Sequence, residues 1–353
     1  MTRLHFGICG LGCMGRSHFA RLRDHPQAEV VAVCDRDARR RAGDWDDALG
    51  NLDLVKTEGG RVLLKGIRAY ATPQELIADP DVDVVLVTLP TVLHAEVAVA
   101  ALRAGKHVLC EKPMALRPND CNRMVDAARA GGRTLMIAQC LRFWPQYETI
   151  RRSIDAGDIG AVRFAVLRRL GVPPTYSAGG WLLDAQQSGG ALLDLHVHDV
   201  DFAHDVFGIP QSLYARGSRG PSGDLDHVVA TWGYADGRYV LLEGGWVSAA
   251  PWSFDMEITV HGERGTLGWA MSRGTEVVHQ PRDGPARKIA SDGDALRVEL
   301  DYFIECVRTG RPVERCRPES TRLSVVLAWL ERRSIETARV VPISERLRSI
   351  WSV

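Results

Sequence analysis

The residues best suited to chemistry lie in two stretches. The first is His107-Val108-Leu109-Cys110-Glu111-Lys112-Pro113-Met114, where a short apolar run delivers a carboxylate and an amine side by side before a proline. The residue before a proline is steered out of helix into extended geometry, so Lys112 is expected at the lip of a strand. Lys112-Pro113 is also a bond in which the cis form is cheap, which makes it a candidate cis turn. An amine held there can hydrogen-bond an oxygen and stabilise negative charge developing on it; a solvated lysine in a surface turn is the alternative. The second stretch is Asp194-Leu195-His196-Val197-His198. As a strand it would point Asp194, His196 and His198 the same way, a metal-site pattern. As a helix it makes Asp194 and His198 neighbours at i,i+4 while His196 diverges. Helix is the expectation, because Leu193, Val197, Val200 and His204 recur at helical spacing, Gly208 and Pro210 end the run, and roughly 18 residues is too long for a typical strand. A carboxylate beside an imidazole suits general acid–base work, since an imidazole with an ordinary pKa near 6.5 exchanges protons at neutral pH; a solvated pair on an amphipathic helix is the alternative.

The elements that must position Lys112 can be read from the first 140 residues. Leu4 to Cys9 reads as a buried strand and runs into Gly10-Leu11-Gly12-Cys13-Met14-Gly15, followed by a helical stretch to about Asp24. This is G-x-G-x-x-G in the setting it requires. Gly10 permits the tight turn, Gly12 lets backbone approach a pyrophosphate, and Gly15 allows close helix–strand packing. A second strand, Val30 to Cys34, ends at Asp35, 20 residues after Gly15, where an acid would accept hydrogen bonds from a ribose. An acid at that position repels a 2′-phosphate and favours NAD, although Arg36, Arg39 and Arg40 could pair with such a phosphate and leave NADP possible. Residues 51–66 read as a surface insertion. The apolar run Val82–Leu89 reads as a central parallel strand. It ends at Thr88-Leu89-Pro90-Thr91, with His94 one turn into the next helix. Strands 107–110 and 134–139 complete six strands alternating with helices, a doubly wound parallel sheet. Ligands of such sheets sit at the carboxyl ends of the strands, where Gly12, Asp35, Thr88, Pro90 and Lys112 all fall.

From about Leu141 the rhythm changes. Helix 146–156 and strand 162–170 are followed by a loop carrying Tyr176, Gly179-Gly180 and Trp181. After the 194–207 helix come strands near 212–218, 226–234, 238–248, 254–261 and 265–270, then helices 294–309 and 318–337. Consecutive strands with segregated helices indicate an α+β domain with a mainly antiparallel open sheet. The expected division is therefore 1–140, an NAD(P)-binding Rossmann domain, and 141–353, an α+β domain to which the resemblance stated below assigns substrate binding and oligomerisation. Trp232, Trp246, Trp252 and Trp269 lie on or beside the strands; most should be core, and an exposed apolar sheet face would suit a subunit interface.

Composition sets the outer bounds. Lysine plus arginine equals aspartate plus glutamate, 44 each, which argues against a nucleic-acid binder. No apolar run approaches the roughly 18 residues of a membrane span, and strand-like sequence by residue 4 leaves no room for a signal peptide. Eight cysteines without a Cys-x-x-Cys pair, several in apolar strands (Cys9, Cys34, Cys110), suggest reduced thiols in a cytoplasmic protein.

With these residues in view the chain resembles the glucose-fructose oxidoreductase/inositol dehydrogenase (Gfo/Idh/MocA) family over essentially its whole length. Gly10-x-Gly12-x-Met14-Gly15, Ala104-Gly105-Lys106-His107-Val108, Glu111-Lys112-Pro113 and Asp194-x-x-x-His198 match the family pattern in order and spacing. The resemblance implies hydride transfer between a nicotinamide and a CH–OH or C=O group of a sugar or polyol, with Lys112, Asp194 and His198 catalytic, and homo-dimers or homo-tetramers formed through the C-terminal sheet. It implies cofactor contacts from Gly10, Gly12, Cys13, Met14, Gly15, Asp35, Arg36, Thr88, Pro90, His94 and Glu111. Substrate contacts are expected from Arg142, Tyr176, Trp181 and His196, the last at a position where many relatives carry a small residue. NAD-dependent glycosidases and non-catalytic cofactor sensors within the family are the competing functions.

Overall fold

A computed structural model describes residues 3–46 and 61–344. Most of the expected 51–66 insertion therefore lies outside the described residues; next to it, Asp44 and Arg61 form an isolated antiparallel bridge.

The first half builds one parallel sheet. In chain order its elements are β1 (Leu4–Cys9), α1 (Cys13–Leu22), β2 (Ala28–Cys34), α2 (Ala38–Arg41), β3 (Arg68–Tyr70), α3 (Pro73–Ala78), β4 (Val84–Val87), α4 (His94–Arg103), β5 (His107–Glu111), α5 (Pro118–Gly131) and β6 (Leu135–Ala138). The strand order is β3-β2-β1-β4-β5-β6 and all pairings are parallel. β4 and β6 are buried along their whole length, as strands covered by helices on both faces must be. Local chemistry sets the helix ends: Thr72 and Glu75 form a reciprocal capping box with Pro73 in the first turn of α3, and Gly132 closes α5 in the left-handed conformation.

The second half contains α6 (Pro145–Asp155), β7 (Val162–Leu170), α7 (Ala185–Ser188), α8 (Val197–Phe207), β8 (Ser212–Arg219), β9 (Leu225–Gly233), β10 (Tyr239–Gly245), β11 (Asp255–Gly262), β12 (Gly265–Ala270), β13 (Val277–Pro281), β14 (Arg287–Ile289), α9 (Ala295–Thr309), α10 (Pro318–Thr337) and β15 (Val341–Pro342). Among the described residues its strands form a nine-stranded sheet in the order β14-β13-β12-β11-β7-β10-β9-β8-β15. Every pairing is antiparallel except β10 with β7. The short strands β13, β14 and β15 were not visible as strands in the sequence. The inner face packs Leu167, Ala230, Trp232 and Leu242 against Val200, Phe202 and Phe207 of α8. Trp246 and Trp269 are also buried, whereas Trp252 is exposed.

The two compact units do not follow the expected single boundary. One comprises residues 1–138, 175–182 and 296–322, and the other 139–174, 183–295 and 323–353. The loop with Tyr176 and Trp181, and most of α9, thus belong to the nucleotide-sheet unit. Phe303 shows why for α9: its ring meets Phe6 of β1 edge-on, 6.3 Å between centroids. Apolar contacts, invisible to a boundary drawn from the strand–helix rhythm, decide membership.

Candidate active site

In the first unit the glycine-rich turn has the geometry its composition demands. Gly10 has φ +100°, and a Cβ there would lie 2.5 Å from the Thr88 carbonyl oxygen. A Cβ on Gly15 would lie 1.9 Å from the Gly10 carbonyl oxygen, so only glycine lets α1 approach the turn. A Cβ on Gly12 would meet nothing within 4 Å; at Gly12 the backbone borders open space at the N-terminus of α1, as a cradle for phosphate requires. Cys13 and Met14 open that helix and are half-buried. Two buried contacts that sequence did not reveal brace the turn: Arg16 donates from Nε to the Leu11 carbonyl at 2.7 Å, and Thr88 donates to the Gly10 carbonyl at 2.7 Å. Thr88 therefore acts on the loop backbone.

Asp35 sits at the carboxyl end of β2, where the spacing placed it. Its two oxygens accept from the backbone N–H of Leu11 at 2.8 Å and of Asp37 at 2.9 Å, while Arg40 approaches to 3.8 Å. Arg36 is exposed, and its Nη2 lies 3.5 Å from where a Gly179 Cβ would be. The 175–182 segment, with half-buried Tyr176 and Trp181, is thus part of the nucleotide unit beside the acid-bearing strand end. The expected boundary had assigned this segment to residues 141–353.

Lys112 follows β5 directly and is half-buried, and the Lys112-Pro113 bond is cis, as the X-Pro chemistry allowed. The Glu111 carboxylate is buried; Oε1 meets His18 Nε2 at 2.8 Å and Oε2 accepts the Lys112 backbone N–H at 3.2 Å. His94 is a correction. It is buried, with Nδ1 at 2.9 Å from the Pro113 carbonyl and Nε2 at 2.8 Å from the Leu89 carbonyl. Its ring stands between the loops after β4 and β5, and in the neutral form its single N–H donates to one of the two carbonyls. Burial pushes its pKa down, against the two carbonyls that pull it up.

In the second unit the chain winds as a π-helix over Leu192–His196 before α8 begins. Such widened turns are frequent at functional sites. From Ala191 to Val200 every residue is buried except Asp194 and His198. Helical spacing has placed the pair on one face, and that face alone is open. Cys140 Sγ lies 3.9 Å from His198 Nδ1, a contact no sequence signal announced.

What orients this helix is a set of buried ion pairs. Asp199 receives Arg169 of β7 through Nε at 2.8 Å and Nη2 at 3.1 Å. Asp201 receives Arg142 through Nε and Nη2, both at 2.8 Å, and Arg142 Nη1 reaches Asp205 at 2.9 Å. Burial alone would push the Asp201 carboxyl up; the Arg142 guanidinium overrides it and holds the group well below the usual carboxylate range. Arg142 is therefore a structural ion-pair partner, which corrects its expected role as a substrate contact. The same holds for His196. It is fully buried, with Nε2 2.9 Å from Glu331 Oε2, whose other oxygen accepts Trp232 Nε1–H at 2.8 Å. Burial would push this imidazole down, but Glu331 raises it. Pointed at Glu331, His196 cannot join Asp194 and His198 around a metal.

A parallel sheet with a braced glycine-rich turn and an acid closing β2 defines a dinucleotide-binding oxidoreductase fold, and the open backbone at Gly12 fits the cofactor's pyrophosphate. The chain belongs to the GFO/IDH/MocA oxidoreductase family. Residues 4–139 match the pattern described as "Oxidoreductase family, NAD-binding Rossmann fold", and residues 147–268 match the GFO/IDH/MocA C-terminal domain. Among curated relatives it is similar to myo-inositol 2-dehydrogenase of Thermotoga maritima, 28% identical over 97% of this chain and 99% of that one. Inositol 2-dehydrogenase 2 of Saccharopolyspora erythraea is 30% identical over 87% of this chain and 86% of that one. Levoglucosan dehydrogenase in complex with NADH and levoglucosan shares the fold, with TM-score 0.82 at 20% identity over 97% of this chain and 100% of the other.

Proposed function

We propose that this NAD-dependent oxidoreductase acts on a CH–OH or C=O group of a sugar or polyol, with Lys112, Asp194 and His198 as its catalytic residues. The observation that carries the reading is that Asp194 and His198 alone are partly exposed within an otherwise buried helical stretch. Gly10, Gly12, Cys13, Met14, Gly15, Asp35 and Arg36 would hold the cofactor, and Pro90 lies at the strand-end loop beside them. When bound, NAD supplies a hydride acceptor, and NADH a donor. His198 takes the hydroxyl proton through its imidazole. Asp194 orients that ring or binds a neighbouring hydroxyl. The Lys112 ammonium hydrogen-bonds the reacting oxygen and stabilises its growing negative charge. The relatives named inositol dehydrogenases support a polyol, and Asp35, an acid where a 2′-phosphate would sit, supports NAD over NADP.

The test is a screen of sugars and polyols with NAD and NADP in parallel. On the best substrate His198→Ala should lose about 10²–10⁴-fold in kcat/KM, and Lys112→Ala a comparable factor. Near-normal turnover by either variant would overturn the assignment.

The outer face of the nine-stranded sheet supports a further part of the reading, self-association in the cytoplasm. Phe164 stacks on Tyr239 at 5.2 Å and on His261 at 4.3 Å, and Val229 and Tyr239 stand exposed beside half-buried Val166 and Leu241. A second copy of this chain would cover that apolar face. Sedimentation of the purified protein as a monomer at micromolar concentration would refute it.

A further inference from the structure

We infer that Glu111 is a positioning residue for Lys112, acting through the backbone, and is not a contact of the nucleotide. This deepens the function proposed above and rests on its assignment of Lys112 to the reacting oxygen.

Each oxygen of Glu111 meets a donor of the protein. Oε1 is held by His18 Nε2 at 2.8 Å and Oε2 holds the Lys112 N–H at 3.2 Å. His18 is 0% and Glu111 6% exposed, so the bond between them is shielded from water, while the bond to the Lys112 N–H is part-buried. His18 stands on α1, the helix that begins in the glycine-rich turn, and ties that turn to the end of β5. On the other side of Lys112, the Pro113 carbonyl is taken by His94 at 2.9 Å. The lysine is thus the one half-buried side chain between two backbone anchors, each closed by a buried histidine. A long side chain reaches a defined point only from a fixed Cα, and a misplacement of about 1 Å at a reacting centre can cost on the order of 100-fold in rate.

A second carboxyl is buried in the same unit and feels Glu111. Glu299 of α9 is fully buried, and neither of its oxygens has a hydrogen-bond partner among the described residues. Burial first, and then the charge of Glu111, push its pKa well above the usual carboxylate range, against the pull of Arg315.

The test follows the exchange rate of the Lys112 amide hydrogen in the NADH-saturated enzyme, together with kcat and the Kd of NADH. Glu111→Gln keeps an oxygen for the Lys112 N–H and should retain slow exchange and a kcat within about threefold of the parent. Glu111→Ala should exchange that amide at least about tenfold faster and lower kcat by about 10–100-fold, with the Kd of NADH changed by less than about threefold. If Glu111→Ala does not fold, His18→Gln, which slackens the anchor from the α1 side, should shift exchange and kcat the same way. Lys112 amide exchange as fast in the parent as in the variants, or a loss residing in the Kd of NADH, would overturn the inference. Should no sugar or polyol be turned over, the proposed function fails while the exchange and NADH measurements still decide this one.

Discussion

The glycine turn and Lys112 loop of the first unit and the α8 helix of the second each present catalytic candidates, but they hold them by different physics. In the first unit the holding groups are backbone: glycines that admit close approach, and buried histidines that grip carbonyls or a short carboxylate link. Strand ends place these groups almost automatically, so motif spacing describes them well. In the second unit Asp194 and His198 are oriented by Arg169–Asp199 and Arg142–Asp201, pairs separated by 30 and 59 positions in the chain. These charges sit on a helix that looks amphipathic in sequence, yet Asp199 and Asp201 are completely buried. On α8 a run of charges is not a solvated face.

The comparison can be broken most severely at Arg169. Arg169→Ala leaves Asp199 charged and buried without its fork of donors and should cost about 3–5 kcal/mol of stability, measured by urea unfolding. Arg169→Lys should recover only part of that, because a point charge cannot reproduce two parallel hydrogen bonds. A loss of less than about 1 kcal/mol would mean that the pair behaves as a surface bridge and that the contrast between the units is wrong.

A smaller change of opposite sign is expected in the first unit. Glu299→Met removes a buried carboxyl with no hydrogen-bond partner and should raise stability by about 1 kcal/mol near pH 8. The sign follows from linkage. The folded state holds the Glu299 proton to a higher pH than the unfolded chain does, so this group lowers stability as pH rises above the usual carboxylate range. The advantage of the variant should therefore shrink toward pH 4 to 5, where the carboxyl is protonated in both states. A melting-temperature difference independent of pH would sink this account.

Legibility followed the same divide. Gly10, Gly12, Gly15, Asp35 and the cis Lys112-Pro113 bond were each readable because a single residue type meets a single backbone requirement. The i,i+4 relation of Asp194 and His198 was readable from helical period. The surroundings of His94, Arg142 and His196 were hidden for one reason: each meets partners that sequence alone cannot show. Their partners, Pro113 and Leu89 carbonyls, Asp201 and Glu331, come from other elements. The placement of 175–182 in the nucleotide unit failed to show for the same reason, since it depends on packing and not on period.

By itself the sequence determined the parallel sheet, the phosphate-cradling turn, the NAD preference implied by Asp35 and the identities of the three catalytic candidates, because periodicity and backbone sterics act over a few neighbouring residues. Only the tertiary structure decided which polar side chains are enclosed inside the protein and which stay partly exposed. That decision is made by burial, which removes water as the competing partner and is set by segments far apart in the chain.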